Sequence, residues 1–268
     1  MTTFETLKLE RRGTTALLTL HRPERLNAIN GVMSRELEVA WSAVKSDPEV
    51  AVVIVTGAGE KALSTGFDVA DVAAGSANFG VEGQEGKLSS VRLTALHNRC
   101  WKPVITAVNG MCCAGGLHFV ADSDLVIAAE HATFFDPHVG VGLVAGLEPI
   151  GLARRMALEP VLRMALVGAR ERMTAKRAYE LGLVGEVVPK ERLLERAFEL
   201  AALIGEGSPA AIATTKQALW ESLDGGLGTA LAIGQRAIDT HRGHPDGREG
   251  ALAFREKRKP RWQPLVLE

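Results

Sequence analysis

The sequence predicts an α/β fold: a core in which strands alternate with helices, followed by a C-terminal helical module. Three observations carry this. Short apolar runs rich in Val and Ile recur in the first half, each closed by a turn or helix signal. After about Glu148, Ala-, Leu- and Arg-rich helical segments dominate. No stretch rich enough in Pro, Gly or Ser separates the two parts. With 268 residues, the chain can bury one large core, or one core with a smaller appended module.

The elements follow in order. Residues 14–20, Thr-Thr-Ala-Leu-Leu-Thr-Leu, read as a strand closed by His21-Arg22-Pro23. Asn30-Gly31 opens an amphipathic helix, with Met33, Leu37, Ala40, Trp41 and Val44 at helical spacing, ended by Asp47-Pro48. Val52-Val53-Ile54-Val55 is a wholly apolar run before Gly57-Ala58-Gly59, the pattern of a strand buried on both faces. The polar, Gly-rich stretch from Ala73 to Lys87 reads as a loop or lid shaping a pocket, and a helix is expected from Leu88 to Trp101. Pro103–Val108 and Asp124–Ala128 are further buried strands, and Gly185–Val188 is the one extended segment expected later.

Composition narrows the function. Apolar residues make up 46% and charged residues 24%, with a formal net charge of -1. Nothing there points to a nucleic-acid partner or an anionic membrane. The N-terminal residues lack the apolar h-region of a secretory signal. The most apolar stretch, Val104–Val120, is broken by Asn109 and three glycines, so no membrane span is expected. Cys100, Cys112 and Cys113 form no disulfide framework and no metal-ligand spacing; they suit a reducing cytoplasm.

Two stretches have the chemistry of oxyanion stabilisation. In residues 62–68, Ala-Leu-Ser-Thr-Gly-Phe-Asp, a glycine lets the backbone turn sharply so that a following N–H can face a ligand. In Val108 to His118, a strand feeds a small-residue turn and then a helix, whose free N–H groups favour negative charge. Taken alone, each turn is weak evidence for a ligand and is more readily read as tight backbone packing.

Six pieces in a fixed order carry more. They are HRPERLNAIN, VVIVTGAGEKALSTGFDV, KPVITAVNGMCCAGGLHFVADSDLVIA, ATFFDPHVGVGLV, RMTAKRAYELGLVGEVVP and HPDGREGALAFREKRKPRW. In these the chain resembles the crotonase superfamily, the enoyl-CoA hydratase/isomerase family, over nearly its whole length. The resemblance implies a ββα spiral core over residues 1–200 and a C-terminal helical oligomerisation module over 201–268. It implies a homotrimer or a dimer of trimers. It also implies an acyl-CoA thioester substrate with no separate cofactor, coenzyme A being part of the substrate, and no metal. The thioester oxygen would lie between the backbone N–H groups of Phe67 and Gly115. Ser64, Phe67, Asp68 and Val69 fall in the segment that receives the adenine; Lys257 and Arg25 are candidates for the CoA phosphates.

The chain departs from the family at two positions. Where a hydratase carries two catalytic glutamates, this sequence has His118 and His138. An imidazole can serve as acid or base near neutral pH. His118, at a helix start, is expected to be neutral through the helix dipole, and the two histidines together to hold at most one proton. Asp136 and Glu148 are candidate auxiliary acids. His21, His97, His131, His241 and His244 read as surface or packing residues, Cys112 and Cys113 as core, and Asp68 as holding its loop. Three functions stay open at this point: hydration of a 2-enoyl-CoA, retro-Claisen hydrolysis of a β-diketone or β-keto acyl-CoA, and acyl-CoA binding without catalysis.

Overall fold

Gly13, at φ +60°, turns the chain between β1 (Leu7–Arg12) and β2 (Thr15–Leu20), which pair antiparallel from Leu7↔Leu20 to Arg12↔Thr15. The chain is described by a computed structural model over residues 3–73, 91–265 and 267. Helix α1 (Gly31–Ser46) starts where Asn30 accepts a hydrogen bond from the Met33 N–H, at 2.9 Å. It buries the five apolar residues that its spacing marked.

Thereafter the chain repeats one manoeuvre. A strand enters a large sheet, and a short strand then enters a small one. β3 (Val52–Gly57) leads to β4 (Ala62–Ser64), β5 (Val104–Val108) to β6 (Met111–Cys113), and β7 (Leu125–Ala129) to β8 (Thr133–Phe135). Short helices α2 (Val69–Ala73) and α3 (His118–Ala121) leave the first two turns. Helices α4 (Leu147–Leu152), α5 (Leu158–Val167) and α6 (Ala175–Glu180) leave the third, with β9 (Met173–Thr174) between the last two. β10 (Glu186–Val188) returns to the large sheet, whose order is β1-β2-β3-β5-β7-β10, parallel after β2. The small sheet runs β4-β6-β8-β9.

The inner strands β3 and β5 of the large sheet are buried on both faces, which is why they are mostly apolar. Val53 and Val55 point into the main core with α1, while Val52 and Ile54 point into a second core under α7 (Leu193–Gly205) with Leu193, Ala197 and Ala201. The division expected after residue 200 falls inside this helix. The remaining helices are α8 (Pro209–Ser222), α9 (Leu227–His241) and α10 (Pro245–Glu256). Helix α8 is tied to the sheet through Asp124. That carboxylate accepts from the Val104 N–H at 2.7 Å and Trp220 Nε1 at 2.8 Å, and pairs with the buried Lys216 at 2.8 Å.

The expected helix from Leu88 to Trp101 is corrected within residues 91–101. There, a piece without regular structure is followed by a turn that ends with Arg99 at φ 51°. The cause is Asn98, whose side-chain amide donates to the carbonyls of Arg92 and Thr94, competing with the backbone ladder. All but its first residue of the expected lid, Ala73–Lys87, lies outside the described residues. Among the described residues, no helix is long and apolar enough to cross a membrane.

Candidate active site

Two loops must meet to build the site, and asparagines hold one of them. Asn109 accepts from the Gly57 N–H and donates to the carbonyls of Gly57, Gly59 and Ala62; Asn27 donates to those of Ala58 and Ala62. This fixes the turn before β4. Ser64, fully buried, donates to the Asn27 carbonyl and accepts from the Gly66 N–H. Its side chain therefore shapes the turn and is closed to any ligand.

Glycine is required where the loops touch. A Cβ on Gly66 (φ +81°) would lie 2.6 Å from both the Gly115 nitrogen and the Ala114 Cβ, and a Cβ on Gly116 would lie 2.5 Å from the Ser64 carbonyl oxygen. Ala114 itself takes φ 48°, a strained conformation of the kind concentrated at functional sites. A tight turn over Ala114–Leu117 then leads into α3, which starts at His118.

A cavity of about 270 Å³ opens beside this junction. Phe67, His118, His138, Leu143, Leu147 and Glu148 are among its lining residues. His118 and Glu148 are buried and His138 is partly exposed. The His118 ring has Nε2 3.6 Å from Glu148 and Nδ1 3.8 Å from Asp122. Both distances exceed a hydrogen bond, and burial decides the charge. Burial, then the neighbouring His97 and His138, pushes His118 down to about 3, so the ring is neutral. The expected neutrality therefore holds for a different reason: α3 is only four residues long, and desolvation, not a helix dipole, dominates.

His138 is set the opposite way. Its Nδ1 lies 2.6 Å from Asp136 Oδ1, which also accepts the His138 N–H at 3.0 Å. That carboxylate raises His138 above the ordinary imidazole value against the opposing effect of burial. Burial likewise raises Glu148. One cavity thus holds a neutral imidazole, an imidazole biased toward imidazolium and a carboxyl group biased toward its neutral form.

The model of the enoyl-CoA hydratase/isomerase family matches residues 10–264. The chain belongs to the enoyl-CoA hydratase/isomerase family. It is 32% identical to a short-chain-enoyl-CoA hydratase of Clostridium acetobutylicum, over 94% of this chain and 95% of that one. It is 35% identical to a carnitinyl-CoA dehydratase of Salmonella arizonae, over 97% and 98%. Among solved structures, an enoyl-CoA hydratase/isomerase from Mycobacterium paratuberculosis superposes with a TM-score of 0.88 at 40% identity, covering 98% of this chain and 99% of that one. The crotonase superfamily, and an enzyme of this family, are thereby established for the chain.

The other site residues expected of a family member are scattered. Asp68 donates no chemistry to the cavity. Burial opposes its ionisation, but the Ala70 N–H and Arg22, 3.1 Å away, outweigh that and hold its carboxyl below the usual range. Arg22 also donates to the Ala28 carbonyl, so Asp68 holds its loop, as expected. Arg25 and Val69 are exposed nearby; Lys257 is exposed, ends α10 at φ 51°, and lies outside the cavity lining. Cys112 and Cys113 are core residues.

His97, read as a surface or packing residue, is a packing one: it meets His118 edge to face, with ring centroids 5.1 Å apart. Two groups, His97–His118–Asp122 and Asp136–His138–Glu148, bring donor atoms within 4.8 Å of one another. The signal missed in the sequence was Asp122 at i+4 from His118.

Proposed function

We propose that the chain adds water reversibly across the double bond of a 2-enoyl-CoA, with imidazoles in place of the family's carboxylates. One observation carries the reading: a neutral His118 and a cationic-leaning His138 share one cavity at the Gly66–Gly115 junction. The thioester oxygen accepts hydrogen bonds from the backbone N–H groups of Phe67 and Gly115, which stabilise the enolate that forms there. His118 takes a proton from water through Nε2 as oxygen bonds to the β-carbon. The His138 imidazolium gives its proton to the α-carbon.

Several relatives support a CoA thioester as substrate, among them a crotonyl-CoA hydratase of Syntrophomonas wolfei and a mevalonyl-coenzyme A hydratase of Aspergillus fumigatus. The test is loss of enone absorbance across a chain-length panel starting with crotonyl-CoA. No turnover with CoA-ester binding intact would overturn the reading.

A second reading rests on Glu148. Hydration by two imidazoles does not need a third acid 3.6 Å from His118, whereas retro-Claisen hydrolysis benefits from a group to direct water at a carbonyl. It predicts a new carboxylate product from a 1,3-dicarbonyl substrate, abolished by His138→Ala. Binding without catalysis is disfavoured, since it has no use for oppositely biased imidazoles.

We also propose self-association as a homotrimer or a dimer of trimers. Ile150 on α4, Leu166 on α5 and Leu227 on α9 are 66%, 67% and 76% exposed in the single chain, an apolar display that monomers seldom leave open. Light scattering after size-exclusion chromatography would show a multiple of 28.6 kDa. The three free, buried cysteines fit a reducing cytoplasm.

A further inference from the structure

The His118 ring is faced, on the side away from Glu148, by a second carboxylate. Asp122 lies one helical turn on from His118, and its Oδ2 is faced by three groups. It accepts the Thr94 hydroxyl at 2.9 Å, lies 3.3 Å from His97 Nε2, and is 3.8 Å from His118 Nδ1. Thr94 and His97 come from the turn that replaced the expected helix before β5, so two segments converge on one carboxylate oxygen. The other charged groups facing Asp122 are Arg155, which donates to the carbonyls of Ala121 and Ser123 on either side of it, and Lys216. Glu148 lies on the far side of His118.

We propose that Asp122, braced by Thr94 and His97, is the positioning residue for His118. It holds the ring with its proton on Nδ1, so that the lone pair of Nε2 faces the cavity.

The hydrogen-bond inventory supports this tautomer. Among the described residues, His97 Nδ1 is buried without a partner. A buried N–H without an acceptor is the rarer and costlier state, so the His97 proton sits on Nε2, toward Asp122. Its carboxylate is then an acceptor for His97, Thr94 and His118 alike. The 3.8 Å separation at His118 is longer than a hydrogen bond, and closing by under about 1 Å when substrate orders the site would make one. When His118 gains a proton, the Asp122 carboxylate stabilises the imidazolium from behind, the task an orienting carboxylate performs for a catalytic histidine elsewhere.

The inference rests on His118 as the base of the proposed reaction, and its test separates the two. The full chain is labelled with ¹⁵N-histidine, and the His118 resonances are assigned by their loss in His118→Ala. The wild type should show His118 as a single Nδ1–H tautomer; Asp122→Asn should abolish that single state. His97→Gln and Thr94→Val should shift it in the same direction, and Thr94→Ser should leave it as in the wild type. These three variants carry the test if Asp122→Asn fails to fold.

This readout needs no turnover, so it stands even if the hydration reading fails. With turnover, Asp122→Asn should lower kcat at least about 100-fold with KM within about threefold. It should add nothing in a His118→Ala background. An unchanged His118 tautomer in Asp122→Asn, or additive losses in the double variant, would overturn the proposal.

Discussion

Replacing Gly66 by alanine should damage catalysis more than stability. The substitution acts twice. First, alanine at φ +81° carries the left-handed penalty of about 1–2 kcal/mol. Second, its Cβ would stand 2.6 Å from the Gly115 nitrogen, where ordinary contact begins at 3.4 Å. The obstacle is backbone, so the two loops must part by roughly 0.8 Å. An oxyanion held at 2.7–3.1 Å by the proposed donors would then lose one of them, about 2.7–4 kcal/mol or roughly 10²–10³ in kcat. Gly13→Ala is the control. Gly13 has φ +60° with nothing within 4 Å of the added Cβ, so it carries the backbone penalty alone. The assays are crotonyl-CoA hydration, monitored by enone absorbance, and urea unfolding. If Gly66→Ala matched Gly13→Ala in both, the two loops would not be forming the oxyanion site.

Three further outcomes follow from the geometry. His118→Ala and His138→Ala should each lower kcat/KM by about 10²–10⁴, and the double variant should fall well short of the product of the two, measured under identical substrate concentrations. Asn109→Ala should cost roughly 2–4 kcal/mol, since it removes the acceptor of the Gly57 N–H and the donor to the Gly57 and Gly59 carbonyls, and denaturant unfolding will show it. Burial, then Arg92, pushes His97 down to about 4; the unfolded chain binds more protons between 6.5 and 4, so stability falls with acidification there by about 1.4 kcal/mol per pH unit. His118 adds to that slope, while Asp122, raised to about 6 by burial, opposes it. His97→Phe should therefore flatten the stability profile below pH 6.5.

The parts of this fold that were legible in the sequence are those decided locally. The Val52–Val55 run, the Asn30 cap and the apolar face of α1 each express a rule that operates within a few residues. β1 escaped notice because only Leu7 and Leu9 alternate before the charged end of the strand. The three-residue strands of the small sheet are too short to have a period, and exist because β4, β6 and β8 find one another after the loops are set. At the site, the positions of His118 and His138 were legible through the family pattern. Their opposite charge biases were not, because burial and the partner Asp136 are properties of the folded chain. His97 lay beyond reach for the same reason: 21 residues separate it from His118 in sequence, and only the turn held by Asn98 brings the rings together.

Asp124 has a consequence for how the molecule can be altered. One carboxylate binds the first amide of β5, the indole of Trp220 and the ammonium group of Lys216, two residues beyond the aspartate that faces His118. Lys216 also donates to the carbonyl of Lys102, whose own buried ammonium group closes the end of α1 at the Val44 and Asp47 carbonyls. Among the C-terminal helices, α8 is thus keyed into the segment that follows α3. Grafting it from another chain, or trimming it away, would unseat the frame on which His118 stands.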